Sequence, residues 1–167
     1  MARSDSEQAD ILDAVVARLV DQVDAVSEKT CFIAITPVPP YFPADNIFVT
    51  VSTTAGTFPE DLLVGGGINQ CTERTGVLVT IFSRKRTDRA GQDREVLNEE
   101  TRGLLRLKRA VLKALTGHDL QWQQSNVLRS LLLPTESSPG EPVDAEGNKM
   151  TAISIRFSIE FDWNLTV

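Results

Sequence analysis

Ile153-Ser154-Ile155-Arg156-Phe157-Ser158-Ile159-Glu160-Phe161-Asp162-Trp163 alternates apolar and polar side chains without a break over 11 residues. Successive side chains of a strand point to opposite faces, so this period of two predicts a long antiparallel strand with one buried face. The register puts Phe157, Ile159 and Phe161 on the buried face of the strand, packed under the helices, and Ser158 and Glu160 on its other side.

Working back from that strand, Pro134 to Asn148 is rich in Pro, Gly, Ser, Asp and Glu and reads as a mobile connection. Leu128 to Leu133 precedes it as a short strand ending at Pro134. Asp93 to Thr116 carries the stripe Leu97, Leu104, Leu107, Val111 and Leu115, with Leu105 and Leu112 alongside, which is the spacing of an amphipathic helix. Its acids (Asp93, Glu95, Glu99, Glu100) come early and its bases (Arg106, Lys108, Arg109, Lys113) late, as the helix dipole favours. Gly117 supplies a left-handed stop.

Further upstream, Val77-Leu78-Val79-Thr80-Ile81-Phe82 is apolar on both faces. It predicts a central strand, about Asn69 to Ser83, covered on both sides. Ile47 to Thr53 is a second strand, followed by loop chemistry from Ala55 to Gly67. Thr30 to Ile35 is a third, leaving through Thr36 to Pro43, where four prolines in seven positions (37–43) forbid a ladder. This exit and the Pro134–Asn148 connection are both expected to protrude. The chain opens with a helix whose apolar stripe runs Ile11, Leu12, Val15, Val16, Leu19, Val20, Val23 and Val26, with Ser4 or Ser6 as cap. Between Asp5 and Glu28 it has seven acids and one base, Arg18, so its outer face is strongly negative. The order is αβββαββ: an α+β fold, with a mainly antiparallel sheet of about five strands and two long helices packed on it, in one domain spanning residues 1–167.

The chain of 167 residues has 41% hydrophobic and 24% charged side chains, which is enough to build a core without a disulfide or a metal. Its net charge of −6 argues against a general nucleic-acid binder, although not against a local basic patch. The two cysteines, Cys31 and Cys71, fall in strands and read as buried thiols. No apolar run approaches a membrane span, and the opening residues lack the apolar core of a signal peptide, so the expected setting is cytosol-like.

Little in the chain is equipped for catalysis. The single histidine, His118, follows the helix stop and cannot form a paired-histidine metal site. Gly65-Gly66-Gly67 lacks the Lys-Ser/Thr of a phosphate-binding loop and precedes a strand, not a helix. The acids of the first helix surround a regular helix, not a calcium loop. The conspicuous cluster is Arg84-Lys85-Arg86-Thr87-Asp88-Arg89, between the central strand and the second helix. It reads either as a solvated loop or as a contact for an anion, DNA phosphate or an acidic protein surface. No aromatic residues interleave with these bases, so any nucleic-acid contact would be independent of sequence.

This layout resembles the tail terminator (tail completion) proteins of long-tailed bacteriophages and prophage-like particles. The matching features are the amphipathic helix Ile11 to Val26, the strand with a proline-rich exit, and the strand leading into Gly56-Thr57-Phe58 and then Gly65-Gly66-Gly67. They continue with the strand Val77 to Phe82, the long helix, and a final strand closing in Phe161-Asp162-Trp163-Asn164-Leu165. The resemblance spans roughly residues 8–165 and rests on layout, not on catalytic residues. The connection Pro134–Asn148 is longer than a minimal version of that fold, which leaves room for a connector role.

The resemblance implies a virion protein with no enzymatic reaction and no cofactor, assembled in the host cytoplasm and ending in the tail or neck of the particle. It implies a homo-oligomer, a hexameric ring, that caps the head-proximal end of the tail tube and offers a docking surface to a neck or head-completion protein. Its partners would then be the tail tube protein, the neck protein and DNA in the lumen, with no membrane. Arg84, Lys85, Arg86 and Arg89 become candidates for an interface or for the DNA lumen. Unlike faces, an acidic first helix against a basic loop and second helix, suit a head-to-tail ring. A small sequence-independent DNA-binding or head-tail connector protein stands as the alternative, and an enzyme with an unfamiliar site as a third reading.

Overall fold

In the computed structural model, residues 7–59, 70–84, 103–120 and 131–164 are described. The strands are β1 (Cys31–Ile33), β2 (Ile47–Thr53), β3 (Gln70–Arg84), β4 (Leu133–Gly140) and β5 (Met150–Asn164). The helices are α1 (Glu7–Gln22) and α2 (Leu104–Leu115). The strands form one sheet in the order β1-β2-β3-β5-β4. All neighbours are antiparallel except β1 and β2, which run parallel. The expected αβββαββ order and α+β class hold. The parallel pair arises because the proline-rich exit carries the chain back before β2 begins.

The β3–β5 pair is the spine, in unbroken register from Gln70 opposite Asn164 to Arg84 opposite Met150. Along β5 the alternation reads out as burial: Phe157 is 0% exposed and Ile159 4%, whereas Arg156 is exposed and Glu160 half-buried. Val77, Val79 and Ile81 of β3 and Val49 and Val51 of β2 share that face. Ile11, Leu12, Val15 and Leu19 of α1 close it, with Leu104, Leu107, Val111 and Leu115 of α2. Each large aliphatic or aromatic side chain removed from water here contributes about 1.5–3 kcal/mol. Burial, not propensity, holds these helices down.

On the opposite face a smaller aromatic cluster covers one end of the sheet. Phe48 and Phe82 stack with centroids 4.4 Å apart, and Phe42 tilts onto both at 5.9 and 5.7 Å. Met150 and Ala152 complete it. The central strand β3 is therefore apolar on both sides at its Phe82 end, as its sequence requires.

Four expectations need correction. Pro134 to Gly140 is not a loose connection: it belongs to β4, an edge strand antiparallel to β5 with a bulge between Pro134 and Glu136. An edge strand has one side without a ladder, where a missing proline N–H costs nothing. Of the strand expected at 128–133, only Leu133 enters β4; Leu131 and Leu132 precede it, and residues 128–130 lie outside the described residues. The proline-rich exit does not simply protrude, because Pro39 is buried and Phe42 packs on the sheet, although Val38 and Tyr41 are exposed. Cys71 is half-buried, whereas Cys31 is in the core. Gly117 stops α2 as read, with φ +71°, a conformation that a residue with a Cβ resists. The part of the second helix expected at 93–102 lies outside the described residues.

Candidate interaction surfaces

Of the four bases singled out in the sequence, Arg84 is described, whereas Lys85, Arg86 and Arg89 lie outside the described residues. Arg84 ends β3 with its side chain exposed. Its backbone N–H donates to Asn46 O at 2.8 Å and its Nη2 to Pro43 O at 3.0 Å. The structure thus fixes where the basic stretch leaves the sheet, beside the turn that precedes β2.

That turn forms one wall of a cleft of about 1220 Å³. The end of α1 and the residues after it (Gln22 to Ala25) form another, and α2 a third. Asp24 and Asp45 stand on the first two walls, and Arg106, Arg109 and Lys113 on α2. The spacing of these three bases (i, i+3, i+7) draws one line along α2. Arg18, the lone base of α1, does not neutralise its own helix. Its Nε donates instead to Ala114 O at 3.3 Å, at the negative end of α2. The helices therefore lie antiparallel, with an acidic row beside a basic one. Sequence alone marked the two helices by charge but could not show that they are neighbours on one layer.

At the far end of the sheet, Glu73 is a buried carboxylate. Trp163 Nε1 donates to its Oε2 at 2.7 Å. Gly56 lies against the same carboxylate, so a Cβ at that position would overlap it. Thr57 and Arg74 exchange two backbone hydrogen bonds of 2.8 Å. The Gly56-Thr57-Phe58 motif is thus a close approach of backbone to a buried acid. Thr72 Oγ1 donates to Asp162 Oδ1 at 2.6 Å nearby. Burial first, then the charges of Glu73, Asp162 and Glu7, push the Cys71 thiol above its ordinary value. Burial pushes Cys31 up to about 12. Neither thiol is set up as a nucleophile, which needs a lowered pKa.

A further acid had no signal beyond its turn-forming neighbours. Asp144 accepts backbone N–H groups from Phe42, Glu146 and Asn148 at 3.2, 3.0 and 2.8 Å, and the Asn148 side-chain amide at 2.9 Å. Ala145 N–H donates to Pro40 O at 2.9 Å across the same junction. Burial alone would raise the Asp144 carboxyl, but these hydrogen bonds outweigh it and hold the group below its usual value. It clamps the proline-rich exit to the turn before β5. Among the described residues, no three His, Cys, Asp or Glu side chains converge as metal ligands, and no helix is long and apolar enough to cross a membrane.

No protein-family model matches this chain. No curated protein matches it. A solved structure does. The chain is similar in fold to a protein in the virion of a native gene transfer agent particle, with a TM-score of 0.59 and 17% sequence identity, over 96% of this chain and 100% of the other. The two share a fold over nearly all of this chain, with few side chains in common.

Proposed function

We propose that this chain is a structural subunit of a phage-like virion, which acts by assembly and not by catalysis. The observation that carries the reading is the fold shared end to end with a gene transfer agent virion protein. Within that reading, the layout resemblance favours a tail terminator: a hexameric ring that caps the head-proximal end of the tail tube and receives the neck. The exposed charge of the two helices supports it, since unlike patches on one subunit join head to tail and close when the rotation closes.

Arg84, Lys85, Arg86 and Arg89 then become a repeated collar facing DNA or the next ring, where weak contacts add through effective concentration. Deleting the gene from a particle-producing strain tests the role by electron microscopy. A terminator predicts free heads and tails of uncontrolled length, whereas a connector predicts normal tails that fail to join. Intact particles would overturn both. Replacing the four bases with Gln should leave thermal stability unchanged and lower the yield of joined particles; a normal yield removes the collar.

A further inference from the structure

We infer that the outer edge of β1 docks one extended segment of a different protein, which adds to the sheet as a strand beneath the flank of α1. The inference goes beyond the virion role and does not depend on a ring. Thr30 O accepts from Val49 N–H at 2.7 Å, and Ala34 N–H donates to Val51 O at 2.9 Å. Residues of a parallel ladder turn alternately to either side, so Thr30, Phe32 and Ala34 face β2, whereas Cys31 and Ile33 face outwards. Ser27 O takes the Cys31 N–H. Among the described residues nothing pairs with the Cys31 C=O or with the N–H and C=O of Ile33.

The side chains beside this edge are apolar and uncovered. Cys31 points into the core, and Ile33, two residues on, points to the same face yet is 40% exposed. Ile35 just after it is 99% exposed. α1 lies chiefly over β1 and β2, and α2 over β3 and β5. On α1, Val16 and Val20 lie about half a turn round from Arg18, whose Nε reaches α2. They therefore overhang the open edge, half-buried, with Asp13 exposed on the same flank. Edge, overhang and two isoleucines form a corner suited to a strand: main-chain groups supply affinity and alternate apolar side chains supply specificity.

Charge and the opposite edge decide the occupant. Were two copies to pair β1 with β1 about a two-fold axis, their α1 flanks would meet acid against acid. The other edge strand, β4, carries Pro134, Glu136 and Pro139 and has no alternating apolar face, so a second copy supplies no matching strand among the described residues. A foreign segment with apolar residues at alternate positions, and Lys or Arg between them, satisfies both the open backbone and Asp13. The shortness of β1 guards against further growth of the sheet without hiding its isoleucines.

The probe is a capped peptide of alternating valine and lysine. The Ile33 amide should exchange quickly in the free protein and slow on saturation with the peptide, read by NMR. N-methylating the peptide backbone should abolish the effect, because the added strand then lacks donors. A valine–glutamate peptide should bind about tenfold more weakly at about 50 mM salt, with the gap closing at about 500 mM. Asp13→Lys should narrow that gap. Ile33→Thr with Ile35→Thr should weaken binding by about tenfold. Ile35→Thr alone, at a side chain the fold does not bury, should weaken it with melting unchanged.

Exchange at Ile33 that stays fast across the soluble range of the peptide would overturn the added strand, as would equal binding by the N-methylated peptide. Protection at Ile33 that rises with protein concentration alone assigns the edge to a second copy and overturns the foreign occupant. Equal binding of the two charged peptides, or threonine variants that bind like wild type, removes the corner under α1 as the site.

Discussion

Phe157 sits at 0% exposure on β5, opposite Val77 of β3 and in the core with the helices. Phe157→Ala should lower unfolding free energy by about 3–5 kcal/mol in urea titrations, because the lost transfer term is joined by the cavity left behind. Gly56→Ala should destabilise by about 1–3 kcal/mol, since its methyl must displace a carboxylate that Trp163 already holds. Asp144 yields a pH signature. Its carboxyl is held low in the fold, so its contribution is present above the unfolded value of about 3.9 and is lost as pH falls through the lower folded value. Amide protection factors (exchange relative to the intrinsic rate at each pH) at Phe42, Glu146 and Asn148 should fall in that acid window and stay flat from pH 5 to 7. Protection unchanged on acidification would show that the clamp does not depend on ionisation.

At the level of elements, the alternation Ile153–Trp163 and the two-sided run Val77–Phe82 made the two central strands legible, because burial on a defined face leaves a periodic trace. The four α1 core residues and Gly117 were legible for the same reason. β4 was not: Leu-Pro-Thr-Glu-Ser-Ser-Pro-Gly has every side chain exposed, so no face imposes a pattern. The Asp144 clamp joins residues 102 apart in sequence and leaves only a turn-like local signature. The bases at 84–89 were visible as a cluster, yet the basic row on α2 gains meaning only from the acidic helix beside it. Proline in β4 has its own consequence. Pro134 and Pro139 withdraw N–H donors from an edge strand, a device that blocks sheet-to-sheet association. Pro139→Val should therefore leave stability within about 0.5 kcal/mol and raise aggregation at high concentration, measured by light scattering.

Taken whole, the sheet has its last strand in its interior. β5 lies between β3 and β4, and the helical face of the core depends on Ile153 to Phe161. A chain emerging from the ribosome can lay β2 against β3 early, but the other side of β3 stays bare until β5 has been made. Until then β3 presents an unpaired hydrogen-bonding edge beside the apolar side chains of Val77, Val79 and Ile81, the kind of edge that recruits other nascent chains. Folding is thus expected to be slow for the size of the chain, since its main ladder joins segments some 65 to 95 residues apart, such as Ile81 with Ile153 and Gln70 with Asn164. The supply of folded chain would then be limited by chaperone capacity as much as by translation.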